Sequence, residues 1–444
     1  MKNSIFDLMH KEDLTHLRIS YDWKSDTSLL YAAKEWDEDI DWENYNKEFT
    51  ASSFLTKSNY SCSDTETRRL FCNSGIEEYL ETIIELLRKG RHIFIDCYYS
   101  KKNNIRFINN VHCDYPGVNN KSHSIRAGGI RRHDLDEDEY DVIIDGLNLG
   151  RGMSFKNFAA GIPYGGTKIT VMMKPLALKN LRIVGFLAYC LDKSRNFTGP
   201  DMGFPAEMAD VMKEHFTLNI TGGPGGPLGA TGIPTALGVY YAVKQACKFV
   251  YQSESLKGKK IAIQGLGSVG RCLAEHYLNE DASLIISDTN KNNCRMLKEK
   301  FPDANISVVP SDEILFVDAH IFSPAAIGGI IHKEIIPKLK FKIIFGGANN
   351  LLKASSQEEE FELADMLQMH GILYQVDWCH NVGGVLCGSE EYEEQQLASM
   401  TNVIDKVRKI CTEYTWKNLL EAKEKGITPT ENVYRKAEKA IYGL

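Results

Sequence analysis

The sequence predicts an α/β protein of two domains: an N-terminal α/β domain and a Rossmann-type, doubly wound dinucleotide-binding domain. Three observations predict it. Short apolar segments KIAIQ, SLIIS, AHIFS, KIIFG and ILYQV recur after residue 258 with helical stretches between them, the rhythm of a parallel sheet. A glycine turn joins strand to helix within residues 259–288, in KKIAIQGLGSVGRCLAEHYLNEDASLIISD. The stretch TGGPGGPLGATG at 221–232 is a hinge-like loop and marks a boundary between the two domains.

A chain of 444 residues can bury two sizeable cores. Its 43% hydrophobic and 25% charged residues are those of a soluble globular protein. A net charge of −7 gives no general attraction to nucleic acid or anionic membranes. No stretch approaches the roughly 20 continuous apolar residues of a membrane span. The opening MKNSIFDLMHKEDL lacks a signal peptide's apolar core, so a cytoplasmic protein is expected. The eleven cysteines are scattered without a CxxC pair, which suits reduced thiols rather than disulfides or a metal site. Cys379 and Cys387 read as small buried hydrophobes.

Along the chain there is no internal repeat. EWDEDIDWENYNKEF (35–49) is acidic and aromatic and reads as a surface loop or short helix outside the core. IEEYLETIIELLRKG (76–90) has apolar residues at helical spacing, with Gly90 as the expected C-cap. HIFIDCYY (92–99) follows as a strand, and helices alternate with short strands from 140 to 215. After the hinge, IPTALGVYYAVKQACKFV is a long amphipathic helix. The expected organisation is a substrate domain over 1–222, a Rossmann domain over 223–415, and a C-terminal helix over 416–444 packing back on the first domain.

The nucleotide motif assigns its residues by role. Gly265 permits the tight turn, Gly267 lets backbone approach a pyrophosphate, and Gly270 lets helix pack closely on strand, with Ser268 and Val269 between them. The helix N-terminus then offers amide donors and the positive end of its dipole. Asp288 ends the second strand where a carboxylate bonds the ribose 2′-hydroxyl and repels a 2′-phosphate, so NAD is expected over NADP. Lys291 nearby tempers that preference.

Upstream, charged residues stand in apolar or glycine-rich surroundings. Lys168 follows two glycines in GIPYGGTKITV, which read as a bare turn clearing space for a ligand. Lys156 precedes it in GMSFKNFAAG, and Asp201 sits in NFTGPDMGF. Taken singly, a lysine after glycines is a solvated residue and an aspartate between proline and glycine is a turn residue.

Taken in order, these segments resemble the glutamate/leucine/phenylalanine/valine dehydrogenase family, most closely its leucine and phenylalanine branch. AGGIRRH (127–133) is similar to the family's LGGTRMW, GMSFKNFAAGIPYGGTK to GMTYKNAAAGLNLGGGK, and FTGPDMGF to TGTDMGT. SPAAIGG, GGANNLL and WCHNVGGVL are similar to APCALGA, GAANNQL and YVINAGGVI, so the likeness runs from about 125 to 437. The resemblance implies an active-site cleft between the domains, closing about the hinge. It implies that Lys156, assisted by Asn381, binds a substrate carboxylate, that Lys168 is the catalytic lysine, and that Asp201 exchanges protons with the substrate amine. Burial and a second cation nearby are expected to lower the Lys168 pKa toward neutrality. Gly128 and Gly129 would let backbone approach the substrate; Thr235, Asn349 and Asn350 would hold the nicotinamide and its ribose. Ala127 and Gly199 stand where leucine-preferring members carry larger residues, which implies a bulky apolar or aromatic side chain.

The implied reaction is NAD-dependent oxidative deamination of an L-amino acid to a 2-oxo acid and ammonium. A specialised relative reducing an imine, or aminating a larger substrate, is the alternative within enzymes. A non-catalytic binder of NAD or an amino acid is the alternative outside them. Two departures from the family stand out: about 80 additional residues over roughly 30–110, read as a lid, a partner site or an elaborated surface, and a shortened C-terminus. Both bear on assembly, and a homodimer is expected, with no metal, nucleic acid or membrane partner.

Overall fold

The computed structural model describes residues 4–45, 59–114, 125–175, 180–229 and 231–443. The chain divides into two compact units. Unit 1 comprises residues 1–158, 163–229 and 391–397; unit 2 comprises 159–162, 230–390 and 398–444.

Unit 1 is built on one mixed sheet. Its described strands are β1 (His16–Asp22), β2 (Thr27–Lys34), β3 (Tyr60–Cys62), β4 (Phe94–Ser100), β5 (Ile105–Cys113), β6 (Arg126–Ala127), β7 (Ile130–His133), β8 (Gly165–Met172) and β9 (Asn196–Phe197). They lie in the order β3-β2-β1-β4-β5-β8-β6-β9, with β7 also on β8. One face is covered by α1 (Ile5–Lys11), α2 (Asp64–Asn73), α3 (Glu77–Gly90) and α4 (Glu139–Ala159). Its core holds Phe6, Leu17, Phe71, Ile83, Ile95 and Ile143. On the other face, α5 (Leu181–Lys193) and α6 (Glu207–His215) share a core with Tyr98, Phe107, Ile169 and Val171.

Helix α3 follows its sequence pattern, burying Tyr79, Leu80, Ile83 and Leu87 at spacings of three and four. The cap is different from the expected one. Gly90 is the last helical residue and Arg91 is the left-handed cap at φ 55°. Glycine is needed at 90 because a Cβ there would stand 2.3 Å from His92 Nε2. The acidic 35–49 stretch also departs from expectation: Trp36, Trp42 and Tyr45 are core residues around Phe186 and Tyr189. Their burial outweighs the polarity of their acidic neighbours; residues 46–49 lie outside the described residues. Where it is described, the additional segment supplies core strands as well as partly exposed helices. Strand β4 is buried along its whole length, and β5 pairs with β8.

Unit 2 carries a parallel sheet of β10 (Lys260–Gln264), β11 (Ser283–Ser287), β12 (Ile306–Val308), β13 (Ile321–Pro324), β14 (Ile343–Ile344) and β15 (Leu373–Tyr374). The order β12-β11-β10-β13-β14-β15 reverses at β10, as doubly wound sheets do. Ile261 and Ile263 face a core with α7 (Gly232–Tyr251) and α8 (Ser268–Leu278). Ala262, between them, faces Phe322, Leu363 and Leu367, the last two on α10 (Gln357–Met369). The helix α9 (Lys291–Lys300) follows β11. The last helices are α11 (Gly383–Glu394), α12 (Met400–Lys425) and α13 (Pro429–Tyr442). Residues 398–444 belong to unit 2 in this division. Tyr434 packs on Trp378, and Asn432 donates to Asn418 on α12, so α13's buried face is satisfied locally. No described helix is long and apolar enough to cross a membrane.

Candidate active site

Lys168 lies in strand β8, not in a turn, and is only 5% exposed. The glycines before it have a packing role that the bare-turn reading missed. A Cβ at Gly165 would stand 2.2 Å from the Cys113 carbonyl, and one at Gly166 would stand 2.0 Å from Ser154 Oγ. They let β8 press against β5 and α4 rather than clear space for a ligand. Helix α4 comes equally close through its own glycines. A Cβ at Gly146 would stand 2.1 Å from Asn110 Nδ2, and one at Gly150 would stand 2.8 Å from the Asn110 carbonyl. Asn110 is the register partner of Lys168 and donates to its carbonyl at 3.1 Å. Lys168 is thus fixed from its backbone outward.

Its amine donates to Asp201 Oδ2. The same oxygen accepts from Arg131 Nε at 3.3 Å and lies 3.2 Å from Arg131 Nη2, while Oδ1 accepts the Met202 amide at 2.7 Å. Arg131, on β7, then reaches α4, where its Nη1 donates to both Asp145 oxygens at 3.1 and 3.0 Å. His133 Nε2 lies 3.4 Å from Asp145, and its Nδ1 bonds Glu137 at 2.8 Å. Sequence reasoning did not single out Arg131 or Asp145; AGGIRRH held the only signal for Arg131.

The electrostatics follow from burial first. Burial pushes the Lys168 amine below its ordinary value; Asp201 opposes the shift and Arg131 adds to it. The second cation beside Lys168 is therefore Arg131. Burial works to raise the Asp201 carboxyl, but Lys168 and Arg131 outweigh it and hold that carboxyl below the usual range. An amine shifted downward beside a carboxylate that stays ionised is equipped to take up and return a proton.

The flanking glycines have separate roles. A Cβ at Gly129 would stand 2.8 Å from Lys168 Nζ and 3.3 Å from the Asp201 Cβ, so glycine here leaves room for the ion pair. A Cβ at Gly128 would stand 1.8 Å from the Thr167 carbonyl, so glycine here allows close strand packing. Ala127 is buried in β6, between Gly166 and Phe197 in the sheet register. Gly199 has the Thr221 carbonyl 3.3 Å from where its Cβ would stand. Lys156 is half-buried in the last turn of α4, near Asn157, whose amide donates to the Gly165 carbonyl at 2.9 Å.

In unit 2 the glycine turn has the geometry of a phosphate cradle. Gly265 has φ +88°, a conformation that suits glycine. A Cβ on Gly270 would stand 1.9 Å from the Gly265 carbonyl, whereas one on Gly267 would meet nothing within 4 Å. The space at Gly267 opens at the start of α8, whose N-cap has no side-chain partner. Val269 packs toward Gly347, and Ser268 toward Gly232 at the start of α7. Asp288 accepts the amides of Leu266 and Asn290 at 2.6 and 2.7 Å, which ties it to the turn. A cavity of about 900 Å³ adjoins Asp288 and is lined by Thr289, Lys291, Arg295 and Pro310. These residues fit a dinucleotide: open backbone amides for phosphates, then a carboxylate, then a cavity beside it.

Thr235 lies in the first turn of α7, its hydroxyl donating to the Thr231 carbonyl, and Gly383 of α11 packs against its amide. Asn381 Nδ2 donates to Asn349 Oδ1 at 2.8 Å and to Asp377 Oδ2 at 3.3 Å. Asp377 also accepts the Asn350 amide at 3.0 Å, Asn350 itself having φ 51°. Unit 2 thus gathers Asn349, Asn350 and Asn381 around Asp377, a residue that sequence reasoning did not single out.

The chain is similar to known proteins along most of its length. The family model described as Glutamate/Leucine/Phenylalanine/Valine dehydrogenase matches residues 225–291 and 286–442. Leucine dehydrogenase from Thermoactinomyces intermedius is 36% identical over 293 residues, covering 64% of this chain and 76% of that one. Phenylalanine dehydrogenase from Lysinibacillus sphaericus is 35% identical over 329 residues, covering 71% and 81%. Among solved structures, L-tryptophan dehydrogenase from Nostoc punctiforme has a TM-score of 0.67 at 27% identity, covering 81% of this chain and 98% of its own.

Proposed function

On the premise that this chain belongs to the Glutamate/Leucine/Phenylalanine/Valine dehydrogenase family, we propose that it oxidatively deaminates an L-amino acid with a bulky side chain, reversibly, through Lys168 and Asp201. It is an oxidoreductase of the amino acid dehydrogenase type. The observation that carries the residue assignment is the buried Lys168 amine held against Asp201.

A bound nicotinamide would supply the hydride acceptor for the substrate Cα–H. The chain's own residues do the rest. Lys156 holds the substrate carboxylate, with Asn381 assigned to the same group by resemblance. Asp201 accepts a proton from the substrate ammonium, leaving the free amine that oxidation turns into an iminium. Lys168, neutral at that point, takes a proton from the water that attacks the iminium carbon. As an ammonium it then stabilises the carbinolamine oxygen. Lys168 then releases its proton to solvent and Asp201 returns its own to the carbinolamine nitrogen. As the C–N bond breaks, Lys168 takes the hydroxyl proton and passes it to the departing ammonia, so that 2-oxo acid and ammonium leave and Lys168 is neutral again. The open turn at Gly267 supports pyrophosphate binding, with Thr235, Asn349 and Asn350 assigned to the nicotinamide and its ribose. The negative charge of Asp288 favours NAD over NADP. We assign a homodimer as the assembly, which light scattering tests directly.

The test is NADH formation from L-leucine, L-phenylalanine and L-tryptophan, and NADH consumption with the matching 2-oxo acids and ammonium. Lys168→Ala abolishes both while NAD binding survives. Tight NAD binding by the wild type without turnover on any 2-amino acid would instead identify a sensor.

A further inference from the structure

We propose that Arg131 is a positioning residue for the reaction: braced by Asp145 on α4, its guanidinium holds Asp201 in the place where it meets Lys168. The inference rests on the reading of Lys168 as the proton-handling amine.

The geometry makes Arg131 more than a surface counter-ion. Its side chain is 16% exposed, and its donors are divided between two carboxylates carried by different elements. Nε and Nη2 face Asp201 Oδ2, and Nη1 faces both oxygens of Asp145. A planar fork shared in this way sets the direction of each carboxylate, which a lysine's point charge does not do. The backbone supports the arrangement. The Ile130 amide donates to the Gly199 carbonyl at 2.9 Å, and the Asp201 amide donates to the Ile130 carbonyl at 3.0 Å. Asp201 is therefore located by the segment that carries Arg131 and oriented by Arg131 itself.

The arrangement also bears on proton affinity. The charged groups facing Lys168 are Asp201 from the segment after β9, Arg131 from β7 and Asp145 from α4. Those facing Asp145 are Arg131 and His133. Of these, the positive charge of Arg131 works with burial to push the lysine down.

Two variants separate the charge from the fork. Arg131→Gln removes the charge and keeps hydrogen-bonding capacity; Arg131→Lys keeps the charge and loses the fork. The first readout does not need turnover: the pH dependence of Lys168 acetylation by acetic anhydride, followed by peptide mass spectrometry. Its midpoint is expected to rise in Arg131→Gln by up to about one pH unit and to stay near the wild-type value in Arg131→Lys. The second readout is kinetic. The acid limb of kcat/KM moves to higher pH in Arg131→Gln, whereas Arg131→Lys lowers kcat by up to about 10²-fold with the limb unmoved. Unchanged labelling and an unchanged limb in folded Arg131→Gln overturn the proposal, as does wild-type kcat in Arg131→Lys. If Arg131→Gln does not fold, Arg131→Lys alone decides. A wild-type protein that turns over no amino acid defeats the deaminase reading, while the labelling midpoints still judge Arg131.

Discussion

Two buried charge networks occupy opposite faces of the unit 1 sheet, and they do opposite things to their protons. Asp96 is the register partner of Asn109, and Lys168 that of Asn110, so strand alternation sends them to different sides. In the first network His16 lies between Asp96 and Glu35, at 3.0 Å from each. Arg18 forks onto Asp96 with two bonds of 2.6 Å, and Lys193 closes on Glu35. Burial would raise the Asp96 carboxyl, but His16 and Arg18 outweigh it and bring it to about 2. Glu35 reaches about 2 in the same way, through His16 and then Lys193. Burial pulls His16 down, and its two carboxylates more than restore it, so its pKa is raised. Asp96, Glu35, His16 and Arg18 are all driven toward their charged forms. Around Asp201 two cations again share one carboxylate oxygen, but here burial and the Arg131 charge outweigh that carboxylate, and Lys168 is driven toward its neutral form. Saturated pairing makes a fixed brace. A buried amine whose desolvation its carboxylate only partly offsets keeps a proton that can move.

The sharpest test of this contrast is a pair of variants. Lys168→Ala lowers turnover by about 10³-fold or more, since it removes the general base, yet leaves the thermal midpoint nearly unchanged because Arg131 still neutralises Asp201. Asp96→Asn does the reverse, costing about 3 kcal/mol of stability by stranding the buried His16 cation beside the partly exposed Arg18, with kcat per folded molecule retained. Denaturant unfolding and initial rates on the same preparations check both. An Asp96→Asn protein of full stability would show that the first network is no brace.

The glycines sharpen the comparison at smaller scale. Gly128→Ala puts a methyl 1.8 Å from the Thr167 carbonyl and is expected to destabilise unit 1 by roughly 2 kcal/mol or more. Gly129→Ala presses most closely on the movable end of the Lys168 side chain, at 2.8 Å, and less closely on the Asp201 Cβ, at 3.3 Å, so it lowers kcat and leaves stability close to wild type. Circular dichroism melts beside kinetics distinguish the two outcomes.

The smallest effect is in the pH dependence of stability. Asp96 and Glu35 have folded values near 2, below their unfolded values near 4. Their contribution is therefore present above about pH 4 and is lost as pH falls toward 2. His16, raised in the fold, contributes fully below about pH 6.5 and loses that contribution as pH climbs through its folded value. Urea midpoints measured across pH should fall on both sides, and the acid-side loss should shrink in Asp96→Asn.

What the sequence disclosed follows the range of the interactions. The Rossmann unit was legible because its signal is local: strand, glycine turn, helix and aspartate lie within residues 259–288, and the structure keeps them in that order. The sheet of unit 1 was not, because β5 and β8 pair across more than 50 intervening residues and the pairing leaves no mark in either strand. Trp36 and Trp42 read as surface residues from their acidic neighbours, and only contact with Phe186 and Tyr189 shows them to be core. Lys168 and Asp201 were found through resemblance. Arg131 was in plain view beside Arg132, but nothing in IRRH says which arginine turns toward Asp201. In β7 the strand alternation decides it: Arg132 reaches the Gly203 and Met173 carbonyls instead.

The central claim is that Lys168 is the base of an amino acid deamination. It is tested most directly by the initial rate of NADH formation across the L-amino acids, for wild type and Lys168→Ala, with NAD affinity measured on both. The account predicts a rate with leucine, phenylalanine or tryptophan in the wild type, and near-complete loss in the variant at equal NAD affinity. A Lys168→Ala protein that turns over its amino acid at the wild-type rate would contradict it.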